Sequence, residues 1–393
     1  MAQHLPGLDG SWLLPDYDRS IVNLVTSLAQ RDAPAADLYP GLAELEDSRI
    51  HERPVALLVI DGLGYQFLQR FPESYLARHC AARLTSCFPT TTATAVSALA
   101  LGVPAQQHGI PGWYTHMREL GGVVLPLPFI PRGGGSCYSR KGVQAQQMLD
   151  VSALLPQLSR PVRVCSPAYI SDSDYSRALY GRCRRGPFQG LEHFFERLSQ
   201  GLEQRGNPLV WGYWTELDAM AHELGVDSPE LEEHFWQIDQ QFGQWLEWLA
   251  GSDTLVLVTA DHGLIDCRDD QRLLLDTHPE IESMLRLPLC GEPRVAFCYL
   301  KPGAQSEFID AVAQQAPDLF AAVESEALLE AGLFGRGQPS LRLRERIGDL
   351  TLLARDQAII KDRLLQEGAF NQRGVHGGLS AEELYVPLVI AEP

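Results

Sequence analysis

Four segments of the chain are continuous apolar runs rich in branched residues: Pro54–Ile60 (PVALLVI), Val162–Cys165, Leu209–Trp214 and Thr254–Thr259. Unbroken runs without alternation predict strands buried on both faces. Helical patterns lie between them. The clearest spans about Pro229 to Ala250, where Leu231, Phe235, Ile238, Phe242, Trp245 and Leu249 recur on one face. Asp227 or Ser228 suits its N-cap, Pro229 its first turn, and Gly251 follows its end. Strands alternating with helices predict an α/β fold, with a doubly wound, mainly parallel sheet flanked by helices.

The pattern changes over residues 271–365. Arg294–Leu300 and Leu350–Ala354 read as strands, Ser306–Gln314 as a helix, and Leu333–Ser340 as a stretch rich in glycine and polar residues. The region predicts a small inserted α+β subdomain, leaving 1–270 and 366–393 as the main domain. Tyr385–Ile390 is strand-like again and should rejoin the main sheet, while Pro131–Gly135 (PRGGG) reads as a mobile loop.

Composition narrows the function. The formal net charge of −18 over 393 residues excludes a basic surface built to coat a nucleic-acid polymer. A small anionic substrate stays compatible, because a bound metal reverses the local field. The opening segment MAQHLPGLDGSWLLPDYDRS lacks a basic stretch followed by an apolar one, and no run is long and apolar enough for a membrane span. The eight cysteines form no C-x-x-C pair. Reduced thiols and a cytoplasmic location are expected.

Open parallel sheets place their sites at the carboxyl ends of strands. Val55–Ile60 leads into Asp61, and TLVLVTADHG into Asp261 and His262. Leu209–Trp214 leads into Thr215-Glu216-Leu217-Asp218, with His222 four residues after Asp218, a spacing that aims both at one ion on a helix. Gly374-Val375-His376-Gly377-Gly378 brings a histidine on a glycine-rich loop. Three aspartates and three histidines suit divalent metal ions, zinc above all. Each residue alone is an ordinary structural feature. A nucleophile is offered by Cys87-Phe88-Pro89-Thr90-Thr91-Thr92-Ala93-Thr94, which leads into an apolar helical stretch; the residues themselves leave the choice of hydroxyl open.

The order Asp, F-P-T-x-T, H-G, D-x-x-x-H, D-H-G and a late H-G resembles the nucleotide pyrophosphatase/phosphodiesterase branch of the alkaline phosphatase superfamily, from about Val55 to Val389. The resemblance implies a catalytic, alkaline-phosphatase-like main domain. It implies two metal sites, Asp218, His222 and His376 for one zinc and Asp61, Asp261 and His262 for the other. Thr92, at the second threonine of the motif and ten residues before Gly102, would be the nucleophile and touch a metal, with Thr91 its nearest rival. His108, in His108-Gly109, would be structural. The chain departs from the family where Ala93-Thr94-Ala95 follows the threonine, without the asparagine that helps hold a phosphate oxygen.

The implied activity is hydrolysis of phosphodiester or pyrophosphate bonds in a small phosphorylated substrate, through a phospho-threonine intermediate. Trp113, Tyr114 and Tyr169 are candidates to contact the substrate, and Arg132 and Arg140 to contact a second phosphate. The rival readings are a phosphonate hydrolase, a phosphomonoesterase, a sulfatase and a non-catalytic metal-binding protein. No arginine stands beside Thr92 to grip a monoester dianion, and the serine and arginine of a sulfatase motif are missing after Cys87. Oligomeric state is not encoded in any of these features.

Overall fold

The computed structural model describes residues 12–393, so most of the opening segment lies outside the described residues. Its centre is a seven-stranded sheet in the order Cys80–Thr85, Tyr385–Ala391, Leu255–Thr259, Val55–Ile60, Leu209–Trp214, Val162–Pro167, Arg184–Phe188. The last five run parallel, and Tyr385–Ala391 is antiparallel to both its neighbours. The α/β expectation of a mainly parallel sheet holds. Val55–Ile60, Leu209–Trp214 and Leu255–Thr259 are buried at every position, as strands with helices on both faces must be.

The helix Pro229–Leu249 carries the six apolar residues read from the sequence, all buried. Ser228 caps it by accepting from Leu231 N–H. The threonine run leads into a helix at Thr92–Leu101, buried from Ala93 onward and closed by Gly102 in the left-handed conformation at φ +72°. A Cβ on Gly102 would lie 2.7 Å from Leu154 Cδ2, so the position needs glycine for space as well.

A second, wholly antiparallel sheet has the order Cys290–Glu292, Val295–Cys298, Leu350–Ala354, Phe320–Glu324. The helix Gln305–Gln315 accompanies it, and two apolar clusters of its own pack around it. One of these clusters takes in Phe88, Ala105 and Leu379, so the second sheet sits on the segments that surround Thr92 and His376.

One buried ion pair locks that docking. Arg294, beside the second sheet, donates from Nη2 to Glu383 Oε2 at 2.9 Å, and both side chains are almost fully buried. Arg294 Nη1 also donates to Ala358 O at 2.7 Å, and Glu383 Oε1 accepts Gly378 N–H at 2.7 Å. Burial acts to raise the Glu383 pKa, but Arg294 and these hydrogen bonds win and hold it below its ordinary value. Removing one partner of such a pair strands the other charge. Glu383→Ala should therefore cost about 3–5 kcal/mol in urea unfolding. Arg49→Ala, which breaks the exposed pair with Asp253, should cost no more than about 1 kcal/mol.

Candidate functional site

Three neighbouring parallel strands build the site. Leu255–Thr259, Val55–Ile60 and Leu209–Trp214 lie side by side, with Val59 opposite both Thr259 and Tyr213. Their chain continuations therefore emerge together, carrying Asp261, Asp61 and Asp218 to one end of the sheet. Asp218 sits in the first turn of the helix Glu216–Leu224, and His222 one turn later. The close approach depends on Gly62 at φ +78°, where a Cβ would stand 3.1 Å from Asp218 Cβ and 2.6 Å from Leu264 Cδ1.

The six residues fall into two groups, Asp218, His222 and His376, and Asp61, Asp261 and His262, with donor atoms in each group within 4.8 Å of one another. His262 Nε2 stands 3.5 Å from Asp61 Oδ1 and 3.4 Å from Asp261 Oδ2. His222 Nε2 is 3.4 Å from Asp218 Oδ2, and His376 Nε2 is 4.0 Å from Asp218 Oδ1. The rings of His262 and His376 stack with centroids 3.9 Å apart, joining the groups.

The hydrogen bonds behind these atoms fit metal ligation. Nδ1 of His222, His262 and His376 faces the carbonyl oxygens of Gly374, Gly263 and Thr90 at 2.7, 3.1 and 3.0 Å. A carbonyl only accepts, so each Nδ1 carries the proton and each Nε2 presents a lone pair. Asp61 Oδ2 accepts from the Tyr213 hydroxyl, while Asp261 Oδ1 accepts the N–H groups of His262 and Gly62 at 3.0 and 3.3 Å. Asp61 Oδ1, Asp261 Oδ2 and Asp218 Oδ1 are buried without a hydrogen-bond donor among the described residues. Bare lone pairs of oxygen and nitrogen converging in this way are a cation's donor set.

The electrostatics agree. Burial, then the nearby Asp261 and Asp218 carboxylates, drive the Asp61 pKa well up. Burial raises that of Asp261, with His262 opposing. Burial and the two neighbouring imidazoles push the His376 pKa well down, which keeps its lone pair free.

The three threonines divide their tasks. Thr90 Oγ1 donates to Gly378 O at 2.7 Å and accepts Gly377 N–H at 3.2 Å, fastening the loop of His376. Thr91 Oγ1 donates to Glu292 Oε1 at 2.6 Å. Thr92, the first residue of its helix, turns Oγ1 toward His262 Nε2 at 3.1 Å. Of the three hydroxyls it is the one that meets the ligand cluster.

Thr92, Asp218, His222 and His376 open onto a cavity of about 600 Å³, also lined by Trp113 and Tyr114. Tyr169 is not brought there. Its ring is 77% exposed and its hydroxyl pairs with Thr215 Oγ1 at 3.0 Å. Arg132 is buried and held by Asp362 at 2.6 Å and Glu367 at 2.8 Å, which leaves it no free edge for a phosphate. Arg140 is exposed and away from the cavity lining. His108 is fully buried, belongs to neither group and accepts Ile110 N–H at 3.1 Å; burial lowers its pKa to about 3.

Among the lining residues that sequence reasoning missed are Glu292 and Lys361, both within residues 271–365. Glu292 Oε1 accepts from Thr91 and, at 2.7 Å, from Trp113 N–H, and burial pushes its pKa up to about 7. The only local signal was a polar residue in each of the apolar stretches LCGEP and AIIKD.

Known proteins share this architecture. Murine ectonucleotide pyrophosphatase/phosphodiesterase 5 superposes with a TM-score of 0.65 at 18% identity, covering 87% of this chain and 88% of its own. An inactive threonine-to-alanine variant of that protein, in complex with AMP, superposes with a TM-score of 0.63 at 18% identity over 86% and 87% of the two chains. Phosphonoacetate hydrolase from Sinorhizobium meliloti 1021, in complex with phosphonoacetate, gives a TM-score of 0.63 at 16% identity over 86% and 89%. In sequence, Homo sapiens ectonucleotide pyrophosphatase/phosphodiesterase family member 5 is 29% identical over 141 residues, which span 34% of this chain and 29% of that relative. The family model for type I phosphodiesterase / nucleotide pyrophosphatase matches residues 55–379, well over half of the chain, a span that contains the six candidate ligands and Thr92. This chain belongs to the type I phosphodiesterase / nucleotide pyrophosphatase family.

Proposed function

We propose that the protein hydrolyses phosphodiester or pyrophosphate bonds of a small phosphorylated substrate through a covalent phospho-threonine intermediate, with two divalent metal ions, zinc by donor set, as cofactors. The observation that carries the reading is the Thr92 hydroxyl, 3.1 Å from His262 Nε2 at the start of a helix, between two three-residue ligand groups. Asp61, Asp261 and His262 would hold one ion, and Asp218, His222 and His376 the other. Bound there, such ions supply Lewis acidity, lowering the pKa of a hydroxyl and stabilising charge on phosphoryl oxygens.

Within that frame the chain's own groups act as follows. Thr92 Oγ attacks phosphorus in line; the Oγ–P bond forms as the bond to the leaving alcohol or phosphate breaks. Water then cleaves the Oγ–P bond, releasing the phosphorylated product and restoring the hydroxyl. The N–H groups of Thr92 and Ala93 have no protein acceptor among the described residues, so they can hold a phosphoryl oxygen in place of the missing asparagine. Glu292 is a positioning residue, fixing Thr91 and the Trp113 backbone on either side of the nucleophile. Trp113 and Tyr114 would flank the group attached to the phosphorus. Residues 271–365 would act as an inserted subdomain that adds Glu292, Lys361 and Arg363 to the cavity lining.

The AMP complex of the murine structural relative supports a nucleotide-type substrate, and the cavity of about 600 Å³ has room for one. The test is hydrolysis of bis-p-nitrophenyl phosphate against p-nitrophenyl phosphate with zinc. The diester should be preferred, and Thr92→Ala should lower its kcat by at least about a thousandfold, with Thr91→Ala much milder. A monoester preference, or an active Thr92→Ala, would sink this reading; turnover of a phosphonate alone would move the protein to the phosphonate hydrolases.

The metals have a readout independent of turnover. Burial first, then neighbouring carboxylates (Asp261 and Asp218 for Asp61, Asp218 for Asp261), disfavour the charged forms of Asp61 and Asp261 in the metal-free protein, so their pKa values are raised. That destabilisation is absent below their ordinary pKa of 3.8 and grows as pH rises through the elevated folded-state values. Zinc should therefore raise the thermal midpoint at pH 7 by several degrees. Asp261→Asn should raise the midpoint of the metal-free protein and shrink the zinc-dependent rise. An Asp261→Asn protein that melts lower without metal would contradict the account.

A further inference from the structure

The cavity holds a cation that the proposed chemistry does not use. The chain has three lysines, and one of them, Lys361, lies at the end of the strand Ile359–Lys361 and lines the cavity shared with Thr92 and His376. Its Nζ sits 4.0 Å from the centroid of the Tyr114 ring. Among the described residues no carboxylate comes within ion-pairing distance of it, and no hydrogen-bond acceptor reaches it.

The neighbouring charges sharpen the point. Arg132 lies over the same ring at 4.1 Å, but takes both nearby carboxylates for itself, Asp362 and Glu367. Asp362 Oδ2 also accepts Leu289 N–H at 2.9 Å, and Glu367 Oε2 accepts Leu364 N–H at 3.0 Å. Glu292 is turned to Thr91 and Trp113. Arg363, another cation on the cavity wall, pairs with Asp276 at 3.0 Å. Lys361 is left with an aromatic face and, among the described residues, no protein acceptor for its N–H donors. Burial and Arg132 lower its pKa to about 8, against the pull of Asp362, Glu367 and Glu292, so the charged form still predominates at pH 7. A desolvated ammonium without a protein acceptor is a strong donor for an anionic ligand.

We infer that Lys361 seats a second anionic group of the substrate, a carboxylate or a phosphate carried by the part that extends along the Tyr114 wall away from the reacting phosphorus. The seat adds specificity: it selects substrates with two anionic centres over those with one, and Lys361 touches substrate without taking part in bond making. The inference rests on Thr92 marking the reacting end of the same cavity. Tyr114 acts as the platform that holds the ammonium, since a cation over an aromatic face loses part of its hydration and gains direction.

The test is calorimetric, on the zinc-loaded full chain, with three alkylphosphonates: propylphosphonate, 2-carboxyethylphosphonate and ethylenediphosphonate. Each protein is scored by the ratio of its affinities for an anionic tail and the neutral one, a ratio that general loss of folding does not create. The wild type should favour at least one anionic tail by about tenfold at pH 7, and the better of the two identifies carboxylate or phosphate as the partner. Lys361→Gln should bring the ratio close to one, and Lys361→Arg should restore most of it. The wild-type preference should shrink as the pH is raised well above 8, while that of Lys361→Arg persists. Equal affinities in the wild type, or an unchanged preference in Lys361→Gln, would overturn the inference. If the preference is present but no phosphodiester is turned over, the seat stands and the proposed hydrolysis fails instead.

Discussion

Three carboxylates are forced together at the ends of three adjacent parallel strands, two of them buried with raised pKa values and all three with an oxygen that no donor reaches among the described residues. Hydrophobic burial of the strands sets their spacing; the chain cannot move Asp61, Asp261 and Asp218 apart without breaking the core beneath them. Like charges confined in this way cost stability unless cations answer them. The surrounding hydrogen bonds make no attempt to neutralise the cluster. Tyr213 serves one oxygen of Asp61, backbone N–H groups serve one of Asp261, and three carbonyls turn the imidazoles so that their lone pairs also face inward. The protein holds a strained electrostatic arrangement on a rigid frame, the kind of preorganised charge that a bound cation relieves.

The threonine loop depends on that frame from two sides. Thr90 is tied to the loop of His376, and Thr91 to Glu292 from the second sheet. The second sheet in turn is fastened to the main body by Arg294 and Glu383, whose carboxylate also holds Gly378 in the same loop. The hydroxyl of Thr92 is thus placed by its neighbours' hydrogen bonds, while its own oxygen faces His262 Nε2 at 3.1 Å. Each of the three threonines in the run thus has its own partner: Gly378, Glu292 and His262.

The buried strands were legible in the sequence because burial on both faces leaves an unbroken apolar run, and the helix Pro229–Leu249 because its stripe, cap and first-turn proline agree. The outer strands Cys80–Thr85 and Arg184–Phe188 were not: two positions in each are exposed, and arginine and proline blur the pattern. The six proposed ligands were legible as an ordered set, and the structure gathers all six. Substrate-side residues were harder. Tyr169 and Arg132 had suitable chemistry, but exposure removes one and ion pairing the other. Glu292 and Lys361 gave almost no local signal, because their partners Thr91 and Tyr114 lie more than 200 residues earlier in the chain.

The two ligand groups are not equivalent in their surroundings. Asp61, Asp261 and His262 lie behind the wall, whereas Asp218, His222 and His376 open onto the cavity with Thr92 between the two. A group closed to solvent is suited to activating a fixed protein hydroxyl, since neither partner has to exchange. A group open to the cavity is suited to an oxygen that arrives and departs with each substrate. Tyr114 and Lys361 line the same cavity, so under the proposed mechanism they could carry charge selectivity without disturbing the ligand cluster. The chain carries a net charge of −18, yet the wall of this cavity presents two cations, Lys361 and Arg363, to a ligand.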